Sequence, residues 1–362
     1  MSIKIFAMTH KLFTQSSDSL YVPLQVGSAT HPHLGYLCDD TGDHISEKNY
    51  LYSELTGHYW LYKNYHDTDS IGVCHYRRYL LNEKEQLMSA IEYENLLQEY
   101  DLITTKKIHL NFSYYYGFSQ NHNQKDLDET ENVIKELYPD YYDTFVQLVH
   151  GKETYFGNIF ACKKSLYDDY CHFLFTIFAK LEKRIDVTSY DDYHKRVFGF
   201  ISEFLLMVYA EVNHLHVYEC KVGMIGEKAE TKELKNDLSK FFLQKDIQGA
   251  KTYFLKYLEK RPDVMMEASD VMGDLRLAMQ LIATCELQEE LGETSLLERT
   301  TDFPSLLKYL GTLNGVMEHY HSNRNTPGDE IILQKLNPTP LVLEISTKIV
   351  DSFSPFSFPD IL

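Results

Sequence analysis

Along the first two thirds of the chain, short apolar runs end abruptly in polar residues. IKIFAM (3–8) gives way to Thr9, His10 and Lys11, and IGVC (71–74) to His75, Tyr76, Arg77 and Arg78. YDLITT (100–105) runs into Lys106 and Lys107, and NIFACK (158–163) is a fourth such run. Runs of this length bounded by polar residues predict buried strands. Between them, residues 46–64, 166–181 and 197–212 carry apolar side chains at helical spacing. Ser46 is placed to cap the first of these helices, and Glu54, close to its apolar stripe, needs a partner. Strands separated by helices predict a largely parallel α/β sheet, in which ligands sit beyond the carboxyl ends of the strands. His10–Lys11, His75–Arg78 and residues 104–107 all fall at such ends.

The pattern changes near residue 226. GEKAETKELKND (226–237) is charged and turn-prone and reads as a linker. Residues 238–258, 271–287 and 303–319 then carry helical periodicity, 321–340 read as loop, and PFSFP (355–359) as a docked or frayed end. A chain of 362 residues is long for one core. The expected division is an α/β domain over 1–228 and an α-helical domain over 229–362.

Composition narrows the function. A net charge of −18 disfavours a nucleic-acid partner, because such proteins need a basic face. The six cysteines form no CxxC pair, so zinc-ribbon and thioredoxin readings lack support. MSIKIFAMTH is not a signal peptide, and no apolar stretch is long enough to span a bilayer. The expectation is a cytoplasmic protein, with contact at the inner face of a membrane left open. The 28 tyrosines fit ordinary packing, or a groove that stacks sugars and bonds their hydroxyls.

Dinucleotide-binding GxGxxG, P-loop, HExxH and GxSxG signatures are absent. HPH (31–33) reads as a surface turn rather than a metal site. HYRR (75–78) is different: a guanidinium fork matches phosphate oxygens in pairs. If the strand continued through residue 78, Arg77 and Arg78 would face opposite sides. Both then reach one ligand only where the chain turns near 76; otherwise one braces the fold against a carboxylate such as Glu54 or Asp101. Glu203, set in an apolar helix, calls for a raised pKa suited to a general base, or for an ion pair with Arg196, Arg77 or Arg78. His122 and Asp126, four apart, share a face if helical and could hold acceptor hydroxyls; in a loop they are simply solvated.

Several blocks together resemble a family of bacterial glycosyltransferase-like proteins, catalogued as a domain of unknown function and encoded among capsule, O-antigen and exopolysaccharide genes. They include MTHK (8–11), YVPLQVG (21–27), YSELTGHYWLYKN (52–64), IGVCHYRRYL (71–80), GNIFACKKSLYDDY (157–170) and RVFGFISEFLL (196–206). The resemblance runs over about 3–225. It implies a GT-A-like, Rossmann-like fold and an inverting hexosyltransferase that takes a sugar, galactofuranose in some members, from a UDP-sugar to a glycan or lipid-linked acceptor.

On that reading His10, Lys11, Gln25, Val26, Gly27, His75, Arg77 and Arg78 bind the donor. Tyr115, His122 and Asn158 line the acceptor side. Glu203 is the base, with Asp126 as substitute. No metal-binding DxD follows the second strand. Asp67-Thr68-Asp69 has that form but precedes the strand, so no metal site is assigned and manganese or magnesium is disfavoured. The resemblance would place an arginine at 204, where this chain has Phe204. The alternative is a non-catalytic nucleotide-sugar or glycan-binding scaffold that recruits a partner enzyme. A homodimer is left open.

Overall fold

The apolar runs become strands and lie side by side. The computed structural model describes residues 2–224, 229–265, 270 and 273–352; the 355–359 segment lies outside them. The chain divides into two compact units, residues 1–225 and 226–362.

The first unit holds β1 (Ile3–Thr9), β2 (Tyr21–Gln25), β3 (Leu37–Cys38), β4 (Ser70–His75), β5 (Arg78–Leu81), β6 (Leu102–Thr105), β7 (Ile108–His109), β8 (Glu153–Thr154), β9 (Phe160–Lys163) and β10 (Val217–Met224). Eight of them form one sheet in the order β3-β2-β1-β4-β5-β10-β6-β9, with β9 also pairing with β4; β7 and β8 form a separate ribbon. The expected largely parallel sheet is in fact mixed. β1 to β4 are parallel neighbours and β6 runs parallel to β10, but β5 and β9 are antiparallel to every strand they pair with. Part of the cause is local. The strand ending at His75 does not continue to Arg78; it turns through Tyr76 and Arg77, and Arg78 pairs back on His75. A two-residue turn joins only antiparallel strands.

Helices in this unit are α1 (Asn49–Tyr52), α2 (Leu55–Asn64), α3 (Ala90–Glu99), α4 (Tyr114–Asn121), α5 (Gln124–Leu137), α6 (Pro139–Val149), α7 (Lys164–Leu181) and α8 (Val197–Val212). Alternation along β1 sends Ile3, Ile5 and Ala7 to one core with Tyr93 and Leu97 of α3. Phe6 and Met8 join a larger core with side chains of α2 and of α5 to α8. Helices therefore cover both sheet faces.

The helix expected over 46–64 is interrupted. Ser53 adopts φ 51° and ψ −130°, a conformation open to glycine but costing other residues about 1–3 kcal/mol. Asn49 holds the break by donating its amide to the Ser53 carbonyl at 2.6 Å. Ser46 does not cap a helix; it bonds the Asp39 carboxylate and the Ala29 amide.

The second unit contains α9 (Ala229–Leu243), α10 (Ile247–Lys260), α11 (Asp274–Glu290), α12 (Phe303–His321), α13 (Pro327–Leu336) and α14 (Pro340–Ser352) around its own core, which includes Phe242, Phe254, Leu281 and Leu310. Two expectations are corrected. The charged segment read as a linker is helical from Ala229, and residues 226–228 lie outside the described residues. The segment read as loop over 321–340 contains α13, which starts on Pro327 with a Thr326–Asp329 capping box. Among the described residues no helix is long and apolar enough to cross a membrane.

Candidate functional site

The hairpin at Tyr76–Arg77 opens a polar cluster at the carboxyl end of β4. Five elements supply it. The break at Ser53 delivers Glu54 just ahead of α2. β4 ends on His75 and β5 begins on Arg78. Gly157 (φ 96°) and Asn158 (φ 41°) form the left-handed turn that leads into β9. Arg196 and Glu203 flank the first turns of α8.

Asn158, 4% exposed, is the hub. Its amide donates to Glu54 Oε1 at 2.7 Å and to Ser202 Oγ at 2.8 Å. The residue expected on the acceptor side is thus a buried brace for Glu54. His75 Nε2 lies 2.8 Å from the Gly157 carbonyl. A carbonyl only accepts, so the ring proton is on Nε2. Burial drives the His75 pKa down to about 4, against the pull of Glu54, so the ring is neutral at pH 7. At pH 7 His75 therefore fixes the turn, and its positive charge acts on Glu54 only in the acid range where both groups titrate.

The two carboxylates differ. Burial pushes Glu54 up, but His75, the Asn158 amide and Arg196 outweigh it and hold Glu54 below the ordinary value. Burial and the neighbouring Glu54 push Glu203 up to about 8, against Arg78, Arg196 and a backbone hydrogen bond from Gly157. Arg78 lies close enough that a β-carbon on Gly157 would sit 3.4 Å from its Nη1. Arg196 is exposed, donates from Nε to Ser53 Oγ at 2.8 Å and lies over the Phe200 ring. Phe204, where an arginine was expected, points instead into the core and stacks on Tyr114 with ring centroids 4.3 Å apart. Arg196, one residue before α8, supplies a cation on the Glu203 side.

A second group adjoins Arg196. His122 stacks on Phe200 at 4.1 Å; burial, with His194 and Arg196, lowers its pKa to about 4. Asp126, 3% exposed, accepts from the Tyr190 hydroxyl at 2.9 Å, and burial raises it to about 6. His122 and Asp126 lie on either side of the joint between α4 and α5, and neither is loosely solvated. Tyr115 turns toward α5, where its hydroxyl donates to Asp128 Oδ1 at 2.8 Å.

The remaining expected residues lie at the ends of β1 and β2. His10 meets Tyr76 edge-on, and Lys11 Nζ sits 5.4 Å over the same ring. Phe13 and Tyr36 extend this aromatic rim. Gln25 and Val26 are buried. Gln25 spends its side-chain amide on Pro32 and Leu34, and Gly27 donates its N–H to the buried Asp39. These residues shape the rim from behind. Asp69 accepts from Ser2 at the opening of β4, the far end from His75, so the Asp67-Thr68-Asp69 triplet stands away from the cluster.

Residues 4–214, more than half of the chain, match a family described as a domain of unknown function, DUF4422. The chain belongs to that family. Comparison with curated proteins returned no match. Among solved structures, this DUF4422 chain is similar to the apo structure of the WbbM bifunctional glycosyltransferase, with 28% identity and a TM-score of 0.57. The similarity covers 63% of this chain and 46% of that one, so the chain spans less than half the length of that relative.

Proposed function

We propose that the chain is a GT-A-like inverting glycosyltransferase that moves a sugar from a UDP-linked donor to a glycan or lipid-linked acceptor in bacterial surface polysaccharide synthesis. The observation that carries this reading is Glu203: a carboxyl raised to about 8 beside Arg78 and Arg196, at the carboxyl end of a central strand. The likeness to a glycosyltransferase supports it.

In the reaction, ionised Glu203 accepts the proton of the acceptor hydroxyl as that oxygen attacks the anomeric carbon. The bond from that carbon to the donor diphosphate breaks with inversion. Charge develops on the leaving diphosphate, and Arg78 and Arg196 stabilise it without a metal. Arg196 immediately precedes the amino terminus of α8, where the helix dipole is also positive. His194 and Lys195 are already paired with Asp191 and Asp192, so Arg196 is the side chain there that a donor anion would engage together with the dipole. The Tyr76–Phe13–Tyr36 rim gives the donor base a flat apolar surface, and Asp126 and His122 lie on the acceptor side.

The test is calorimetry with UDP, followed by hydrolysis and transfer assays over a panel of nucleotide sugars. UDP binding with donor turnover is expected. Binding without turnover, whatever the acceptor, would favour a non-catalytic scaffold.

A further inference from the structure

Beyond the β2–β3 edge, His33, Cys38 and Asp40 bring one nitrogen, one sulfur and one oxygen ligand together, with all these atoms within 4.8 Å of one another. His33 Nε2 already lies 2.8 Å from Asp40 Oδ2. We propose that these three side chains form a zinc site that pins the 31–36 loop to the edge of the sheet.

The trio is held from behind by two buried side chains. Gln25, 1% exposed, grips the peptides on both sides of His33: its Nε2 donates to the Pro32 carbonyl at 2.9 Å and its Oε1 accepts from Leu34 N at 2.7 Å. The same Oε1 receives the Cys38 thiol at 3.9 Å, and Cys38 is paired with Gln25 across the strands. On the other side, fully buried Asp39 is locked by the Gly27 and Ser28 amides and by Ser46, which fixes the adjoining Asp40. A ligand set braced in this way needs little rearrangement to bind.

The donor chemistry selects the ion. Thiolate, imidazole and carboxylate together suit zinc, whereas magnesium and calcium favour all-oxygen sets. Binding releases the thiol proton, and three protein ligands leave a fourth position for water. The Cys38 thiol also donates to the Tyr36 carbonyl at 3.4 Å, and the observation that carries the site is that its sulfur and the paired His33 and Asp40 atoms lie close enough together for one ion. The consequence reaches the cleft, because Tyr36 lies on the pinned loop and packs on Phe13 in the aromatic rim.

Cys38 is half-buried and the other five cysteines are buried, so a thiol reagent acting on the native chain reads Cys38. The metal-stripped full chain would be treated with Ellman's reagent with and without micromolar zinc. Zinc should slow modification about ten-fold or more, reversibly with EDTA, while magnesium should have no effect. His33→Ala and Asp40→Asn should abolish the protection. Cobalt(II) should give a thiolate charge-transfer band that Cys38→Ser removes. His33 is 61% exposed, so its variant keeps the test valid even if Asp40→Asn misfolds. No protection by zinc, or equal protection in His33→Ala, would overturn the site. Neither result depends on transferase activity.

Discussion

Glu54 and Glu203 feel the same cation, Arg196, yet their proton affinities are driven apart. Glu54 is held low and Glu203 is pushed up to about 8, partly by Glu54 itself. Pairs of carboxyls separated in this way divide the work of acid–base chemistry. The ionised partner here is fixed by Asn158, which leaves Glu203 to gain and lose the proton.

That separation sets a pH profile. A base must be ionised to act, so kcat/KM should rise with pH through a midpoint near 8 and level off above it if Glu203 is the base. The rival, Asp126, titrates near 6. Steady-state rates between pH 5 and 9 with a saturating acceptor distinguish the two: an acid limb near 6 transfers the role to Asp126.

Glu203→Gln should lose activity by about a thousand-fold or more while binding UDP normally. It should also be more stable than the wild type above neutral pH. A carboxyl raised in the folded state contributes full stability below its unfolded value of 4.5, and that contribution is lost as pH climbs through about 8. Glutamine does not titrate, so the variant should gain about 1–2 kcal/mol at pH 8, discounting for the side chain's remaining exposure. Urea melts at pH 5 and pH 8 read the difference. An active Glu203→Gln protein refutes the assignment, and the gain in stability separates lost chemistry from lost folding.

The two arginines of HYRR should separate kinetically. Arg78 stands within the Glu203 cluster, whereas Arg77 occupies the turn. Arg78→Ala should therefore lower kcat about a hundred-fold or more, and Arg78→Lys should recover little, because a point charge does not replace a planar fork. Arg77→Ala should act mainly on the donor KM. Activity should survive EDTA; loss in chelator with recovery in manganese would return the diphosphate charge to a metal.

Much of this arrangement is legible in residue order. IKIFAM, IGVC, YDLITT and NIFACK are strands, and the apolar residues around Glu203 in the α8 run already mark that lone carboxyl as an energetic problem. The hairpin is legible only as a condition, since alternation requires a turn near 76 for the arginines to act together. What residue order hides is tertiary. Glu54 looks like an ordinary helix residue until the Ser53 backbone breaks the helix. Asn158 gains its role from a partner 104 residues away. The Gly157–Asn158 pair is a turn signal that could have marked it, and the cations ahead of α8 could have marked Arg196. α5 and α6 bury Leu127, Thr130, Val133 and Ile134, and Phe145 and Val149, at helical spacing, so their signal is present in residue order although the expected helices omit it, whereas VYECKVGM of β10 mixes charge with its apolar positions.

His58 should give the fold an acid-sensitive step. Its ring is 1% exposed, lies against Phe160 and Tyr167, and neither nitrogen has a hydrogen-bond partner. Burial lowers its pKa from 6.5 to about 4, against the pull of Glu54. A histidine depressed in the folded state contributes full stability above 6.5, and that contribution is lost as pH falls toward 4, because the unfolded chain takes up the proton first. The slope is about 1.4 kcal/mol per pH unit, or about 3 kcal/mol over the whole window. His58→Phe removes the titration and two unpaired polar atoms while keeping a flat ring against the same neighbours. Its stability relative to the wild type should therefore grow steadily from pH 6.5 to 4 in denaturant melts. Parallel curves for the two proteins across that window would show that His58 carries no such proton linkage.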